Sequence, residues 1–362
     1  MLPAHHHAAR SALQWPRVRI LHVVSSDRFA GVERYISYVA PALAARGCDV
    51  TVVGGDPSIM GPLLDDDGVD FVPARNTIGA LLQVARHRAV DVIHAHMTAA
   101  EWGLVPVRPF THAAFVSTRH FAAVRGRPGF VRGACRLIPW FLDCQLAISA
   151  YVASALDEPT VVLANGVPVR AAAPVAHRRQ EVLVLQRLEI EKDTRLALGA
   201  WARSGARAAG WRLRVAGRGS EEPRLRALAS TLEIGQSVEF LGHVENVAAL
   251  FARVGILLAT AGSEPFGLSV VEAMAAGVPV VAAAGGAHLE TVGSATRRYL
   301  FAPGDAAACA EHLDALVSSS AARESYGKQL QAHQREHFNL EVHVDRLLDI
   351  YRVLVAGRTR RA

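Results

Sequence analysis

From residue 18 onward, short continuous apolar runs alternate with longer stretches in which apolar residues return every three or four positions. The first pattern is that of a buried strand, the second that of an amphipathic helix. Runs over 18–24, 49–53, 91–94, 114–118, 146–149 and 161–163 predict strands, and a helix is expected over roughly 32–46, stopped by Gly47. Strands separated by helices of about 10–15 residues are the signature of βαβ units and a parallel sheet.

The pattern breaks at Ala171-Ala-Ala-Pro-Val-Ala-His-Arg-Arg-Gln180, which has no periodicity and reads as a linker. A second alternating series follows, with runs over 181–185, 211–216, 238–240, 256–258, 278–281 and 299–301, and Asn339 is placed to cap a last long helix ending near Val355. Two doubly wound α/β domains are expected to face each other. In such sheets ligands sit beyond the carboxyl ends of the strands, so the expected site is the interdomain cleft. The length of 362 residues agrees with two domains of ~150 residues each.

Composition removes several function classes. With 51% hydrophobic and 20% charged residues the chain has the balance of a globular protein. No stretch of ~20 uncharged apolar residues is present to span a membrane. Residues 1–16 lack the apolar core of a secretory signal and read, His5-His6-His7 included, as a loose tail. Cys48, Cys135, Cys144 and Cys309 form no Cys-x-x-Cys pair, which points to reduced thiols in a cytoplasmic protein. The net charge of +6 is not gathered into a basic stripe with stacking aromatics, so nucleic acid is not expected as a partner. The basic residues are lopsided: 37 of the 39 are Arg, and Lys occurs only at 192 and 328.

The most informative segment is Ser263-Glu-Pro-Phe-Gly-Leu-Ser-Val-Val-Glu-Ala-Met-Ala-Ala-Gly-Val-Pro-Val-Val281. It reads as a strand end, a loop, a helix from about Leu268, a glycine stop and a new strand. Glu264 lies in the loop and Glu272 in the first turns of the helix. Backbone N–H groups at Phe266, Gly267 and Leu268 can meet an anion with help from the helix dipole. The first carboxylate can approach a sugar and the second can accept both hydroxyls of a ribose. Ser269-x-x-Glu272 also fits a capping box, which leaves a purely structural role for Glu272 open.

This string resembles the Glu-x7-Glu signature of the retaining GT-B glycosyltransferases of family 4. Arg187-Leu-Glu-Ile-Glu-Lys192 resembles the family's Arg-Leu…Lys motif, and Asn165-Gly-Val167 its Asn-Gly-Val; Ala216-Gly-Arg-Gly219, Phe240-Leu-Gly242, Asp91-Val-Ile-His-Ala-His96 and Ser117-Thr-Arg-His120 fall in the expected order. The likeness covers roughly residues 18–355. It implies a GT-B fold, two Rossmann-like doubly wound domains: an acceptor domain over 17–170, a nucleotide-sugar domain over 181–338, and a helix over 339–356 packing back toward the first. It further implies that Arg187 and Lys192 hold the donor's diphosphate, Glu264 the transferred sugar near C3 and C4, and Glu272 the ribose. Gly31, Gly217, Phe266, Gly267 and Leu268 would bind the donor, and His120 would reach the sugar from the first domain. Charge grows on the β-phosphate as the sugar leaves. The resemblance implies that fixed cations and a helix N-terminus answer it without a required cofactor or metal, and that the donor is a UDP- or GDP-linked sugar.

Departures from the family pattern are specific. Ala30-Gly31 stands where Gly-Gly is usual, Phe121 follows His120 where Asp is common, and Gly285-Gly-Ala-His-Leu-Glu290 has one extra residue before its acid. Asp65-Asp66-Asp67 matches the Asp-x-Asp of metal-dependent transferases but sits in a polar turn. Ala216-Gly-Arg-Gly219 lacks the third glycine of a dinucleotide fingerprint. His94 and His96 share a strand face without a third ligand at sensible spacing, which favours packing over metal binding. Arg187 and Lys192 could instead be solvated charges in a locally paired run, and Lys328 is expected on a surface helix.

Phe130, Ala134, Leu137, Ile138 and Phe141 recur at helical spacing, with Trp140 and Arg119, Arg125, Arg127, Arg132 and Arg136 nearby. Two readings stand: a basic amphipathic helix on an anionic membrane that receives a lipid-linked acceptor, or a core-packed helix with solvated arginines. The expected acceptor is a glycan, a lipid-linked glycan or a small molecule, and the expected location is the cytoplasm, with the membrane reading adding the inner face of the plasma membrane. Two rival functions fit the same architecture: a sugar-nucleotide epimerase and a non-catalytic nucleotide-sugar binding protein.

Overall fold

The structure, a computed structural model, describes residues 17–87, 89–126, 133 and 135–359. The first series of elements runs β1 (Arg19–Val24), α1 (Gly31–Ala44), β2 (Asp49–Val53), α2 (Pro57–Asp65), β3 (Asp70–Val72), α3 (Thr77–Arg86), β4 (Val92–His96), α4 (Thr98–Leu104), β5 (Ala114–Arg119), β6 (Cys144–Ala147), α5 (Ala150–Ser154) and β7 (Val161–Val162). The second runs β8 (Glu181–Leu185), α6 (Thr194–Arg203), β9 (Arg212–Ala216), α7 (Glu222–Thr231), β10 (Val238–Gly242), α8 (Val247–Arg253), β11 (Ile256–Ala259), α9 (Leu268–Ala275), β12 (Val280–Ala283), α10 (His288–Thr291), β13 (Leu300–Phe301), α11 (Ala306–Val317), α12 (Ser320–His337) and α13 (Leu340–Thr359).

Two sheets result, ordered β3-β2-β1-β4-β5-β6-β7 and β10-β9-β8-β11-β12-β13. Their pairings are parallel, with registers such as His22 opposite His94 and Leu257 opposite Val280. The strand order reverses between β1 and β4 in one sheet and between β8 and β11 in the other. At such switch points the loops leaving neighbouring strands diverge and open a crevice at the carboxyl ends. Both expected donor loops, 186–193 after β8 and 260–267 after β11, emerge at the second switch point.

Strand β3 has no counterpart in the sequence reading. It is a three-residue edge strand with no fully buried position, too short to form an apolar run. The strand expected over 146–149 begins at Cys144 and ends at Ala147, and Ser149 instead caps α5, its Oγ accepting from Val152 N–H. The stretch 171–180 is a connection with a single 3-10 turn at Val175–His177. The last helix continues past Val355 to Thr359.

The final helix returns to the first sheet. Leu340, Val344, Leu347, Leu348 and Tyr351 of α13 are buried in the core that Ile36, Val39 and Leu43 of α1 build over β1 and β4. Burying each such leucine contributes about 1.5–3 kcal/mol. The two chain crossings between domains are tied together by hydrogen bonds from Val167 N–H to the Phe338 carbonyl (2.9 Å) and from Leu340 N–H to the Val167 carbonyl (3.0 Å). Gly166 makes this possible: a Cβ there would lie 2.7 Å from the Asn339 oxygen, the His343 Cβ and the Leu340 Cα. The Asn-Gly-Val string is thus the point where the second crossing lies against the first.

Candidate functional site

Lys192 ends a 3-10 turn after β8, and Asp193, in the left-handed region at φ +47°, starts α6. The turn is stitched to both flanking strands: the Lys192 carbonyl accepts from Gln186 Nε2 at 2.9 Å and from Thr260 Oγ1 at 2.8 Å. Its side chain reaches the loop after β11, where Nζ donates to Glu264 Oε2 at 2.6 Å. Burial by itself would raise the Glu264 carboxyl. The Lys192 charge, with His288 and the Gly267 N–H, overrides that and holds it below the usual carboxylate range.

Arg187 is placed differently. It is half-exposed and pairs with Glu191 one turn on, Nη2 to Oε1 at 2.7 Å. The local pairing that the sequence allowed for both cations is therefore found for Arg187 and not for Lys192. Lys328 pairs with Glu324 on the exposed face of α12.

Helix α9 starts from Gly267, whose φ of +84° favours glycine, and no side chain caps it. The Phe266 ring turns into the core, edge-on to Phe338 with centroids 5.9 Å apart, leaving the loop's backbone to face any ligand. The Ala287 N–H donates to the Glu264 carbonyl at 2.8 Å, and His288 Nδ1 to the Ala283 carbonyl at 3.0 Å. First-turn N–H groups of a helix have no intrahelical acceptor, so the Leu268 end of α9 suits an anion.

The capping-box alternative for Glu272 does not form. Ser269 lies inside the helix rather than at its cap, and the Glu272 carboxylate points away from it, buried, toward the other domain. There Tyr38 Oη donates to Oε1 at 2.6 Å and Arg34 Nη1 lies 3.3 Å from Oε2. Burial, then the neighbouring Glu272 charge, pushes the Tyr38 hydroxyl pKa up. Tyr38 and Arg34 were missed in the sequence. Their signal was present as two polar residues four apart on α1, but nothing local says what they face.

Further contacts cross the cleft. Ser149 Oγ donates to the Pro265 carbonyl at 2.7 Å, and the Glu290 carboxylate accepts from the N–H groups of Ala150 and Tyr151 at 2.7 and 2.6 Å. Gly31 opens α1, where Glu33 accepts from the Ala30 N–H at 2.9 Å. Ala30 itself has an extended backbone, so the alanine in place of glycine costs no strain. Gly217 follows β9, its N–H donating to the Gly242 carbonyl at 2.7 Å.

His120 follows β5 and is buried, with its Nε2 3.0 Å from His96 Nδ1. Burial, then the Arg119 charge, lowers its pKa to about 3, so it is neutral at pH 7. The parallel register supplies what spacing did not: His22 on β1 joins His94 and His96, and one ring nitrogen from each lies within 4.8 Å of the others.

Of the predicted stripe over 130–141, Phe130, Arg132 and Ala134 lie outside the described residues, as do Arg127 and the tail over 1–16. Positions 138–141 form a 3-10 turn in which Ile138 is buried, while Leu137 and Trp140 are 60% and 86% exposed. Arg119 and Arg125 are not solvated: both are buried against Glu101. Asp66 and Asp67 sit in the turn after α2, and no helix among the described residues is long and apolar enough to cross a membrane. The cysteines are free.

Two family models match the chain. Glycosyltransferase Family 4 matches residues 29–170 and Glycosyl transferases group 1 matches 169–333. A glycogen synthase of Mycobacterium tuberculosis is 26% identical over 91% of this chain and 92% of its own length. A phosphatidyl-myo-inositol mannosyltransferase of Mycobacterium leprae is 28% identical over 86% and 90%. Among solved structures, Anabaena Alr3699/HepE in complex with UDP and glucose superposes with a TM-score of 0.77 at 20% identity, covering 92% of this chain and 99% of that one. The sucrose-phosphate synthase of Thermosynechococcus elongatus has the same TM-score, 20% identity, and coverage of 94% and 100%.

Proposed function

The chain belongs to the glycosyltransferases of group 1 and family 4 and has their GT-B fold, and from that premise we propose that it moves a sugar from a nucleotide diphosphate sugar to an acceptor hydroxyl with retention of configuration. The observation that carries this reading is the Lys192–Glu264 pair at the N-terminal end of α9, with Glu272 buried about one turn into that helix. In a nucleotide diphosphate sugar the diphosphate lies between the sugar and the ribose, and Glu264, Lys192 and Glu272 offer a carboxylate for the sugar, a cation for the diphosphate and a second carboxylate for the ribose. The Anabaena neighbour, crystallised with UDP and with UDP-glucose, supports a nucleotide sugar as the donor, which we take to be a UDP- or GDP-linked hexose.

In this reading the bond from the anomeric carbon to the β-phosphate oxygen breaks, and the acceptor oxygen bonds to that carbon on the same face. The acceptor's proton passes to the departing phosphate. Lys192 and the free N–H groups of α9 stabilise the growing negative charge, so transfer needs no metal. Arg187 joins them by leaving Glu191. An exposed ion pair is worth only ~0.5 kcal/mol, less than the charge-assisted bonds a diphosphate offers. Glu264 orients the transferred sugar, Glu272 the ribose, and His120 meets the sugar from the acceptor domain; Gly31, Gly217, Phe266, Gly267 and Leu268 line the donor through their backbone.

For the acceptor we propose a glycan or lipid-linked glycan. Exposed Leu137 and Trp140 beside exposed Arg136 support contact with an anionic membrane surface. The deciding experiment incubates the full chain with a panel of UDP- and GDP-sugars and glycosyl acceptors and reads the anomeric configuration of the product by NMR. An α-linked product from an α-linked donor is expected. An epimerised donor formed without acceptor, or donor binding with no turnover on any acceptor, would replace the reading with one of its two rivals.

A further inference from the structure

Three buried imidazoles form one line from the cleft into the first sheet. His120 Nε2 lies 3.0 Å from His96 Nδ1, and His96 Nε2 lies 2.9 Å from His22 Nδ1. The line ends at His22 Nε2, which is buried without any hydrogen-bond partner. At the other end, His120 Nδ1 is bonded to nothing among the described residues. The register explains the line: His22 of β1, His94 and His96 of β4, and Thr118 of β5 share one face, over which Tyr35 of α1 and Tyr351 of α13 pack. His94 lies beside the line, held by Tyr351 Oη at 2.5 Å and Thr118 Oγ1 at 2.7 Å.

A neutral imidazole has one nitrogen that donates and one that accepts. A contact between two ring nitrogens needs one of each. With two such contacts in series, the three rings share one polarity: all carry the proton on Nδ1, or all carry it on Nε2. The second arrangement leaves a buried N–H on His22 with no acceptor, and buried orphan N–H groups are rarer in native proteins than unfilled acceptors. The first arrangement leaves only a bare lone pair there.

We propose that His22 and His96 are positioning residues that hold His120 in the tautomer protonated on Nδ1, so that His120 presents an N–H donor to the donor sugar. The functional part rests on the cleft being the donor site. Burial keeps every member neutral: it lowers His22 to about 3 and holds His94 and His96 well below the ordinary histidine range. A metal held by His22, His94 and His96 is the competing use of the same atoms. It would place a divalent charge among neutral ligands and break the hydrogen bonds of His94 and His96.

The test is a two-bond proton–nitrogen correlation spectrum of the full chain labelled with 15N-histidine, recorded without donor and assigned through single-histidine variants. His22, His96 and His120 are expected to be protonated on Nδ1, the opposite of the form an isolated side chain favours. Nε2 protonation of any of the three overturns the proposal, as does stoichiometric zinc in the purified protein. His22→Leu is expected to lower kcat about tenfold while the donor KM stays within about twofold, one lost hydrogen bond's worth of orientation. His22→Asn, whose Nδ2 can still donate to His96, is expected to restore most of the rate, and equal loss in both variants counts against the relay. The wild-type spectrum needs no variant, so misfolding of His22→Leu leaves the proposal testable. It also needs no donor, so failure of the relay and failure of the donor-site reading register separately.

Discussion

Lys192 Nζ lies 2.6 Å from Glu264 Oε2, joining the loop after β8 to the loop after β11 across 72 residues of sequence. Lys192 holds the Glu264 carboxyl in its charged form within a largely shielded site. The pair places a cation and an anion at the N-terminal end of α9, and several consequences can be measured.

Lys192→Ala is expected to lower kcat for sugar transfer by at least ~100-fold, the scale of losing one charge-stabilising donor. Steady-state kinetics with saturating donor checks it. A near-normal kcat would remove Lys192 from the diphosphate.

Tyr38→Phe removes the hydroxyl that donates to Glu272 from the opposing domain. The donor KM should rise about fivefold, corresponding to ~1 kcal/mol for one hydrogen bond to a carboxylate, with kcat within about twofold. A lower KM would mean that Tyr38 competes with the donor for Glu272 rather than orienting it.

The depressed Glu264 carboxyl sets a pH dependence. A carboxyl lowered on folding contributes stability that is present above its unfolded pKa of about 4.3 and lost as pH falls through the folded value. The Tm gap between wild type and Glu264→Gln should be constant above about pH 5 and shrink below about pH 4.3, as scanning calorimetry would read. A gap independent of pH through this window would mean that Lys192 does not depress Glu264.

Transfer should survive EDTA at millimolar concentration without loss beyond about twofold, because the proposed mechanism meets the growing charge with Lys192 and α9. Abolition by chelator and recovery with added manganese or magnesium would assign that charge to a metal.

Leu137→Ser with Trp140→Ser should lower co-sedimentation with phosphatidylglycerol vesicles at least tenfold, as ~3 kcal/mol of apolar burial is removed. Absence of wild-type binding to these vesicles would end the membrane proposal.

The nearly lysine-free composition made Lys192 conspicuous, and the family resemblance assigned it and Arg187 to one motif. The structure separates them, because a half-exposed arginine can satisfy itself on Glu191 one turn away while Lys192 is turned inward by a loop fastened to Gln186 and Thr260. Glu272 was ambiguous for the same kind of reason: Ser269-x-x-Glu272 is a legitimate local pattern, and only the position of the helix start one residue after Gly267 rules it out.

Periodicity, punctuation and the Glu-x7-Glu string were sufficient for two parallel α/β domains and for the loops that carry the donor-site candidates, because those features depend on residues close together in the chain. What the chain could not disclose locally was decided by parallel register and by the approach of the two domains. Register put His22 beside His94 and His96, and domain approach put Tyr38 and Arg34 on Glu272. Such contacts join residues tens to hundreds of positions apart. No spacing rule encodes them, since they exist only once strands have paired and hydrophobic faces have closed.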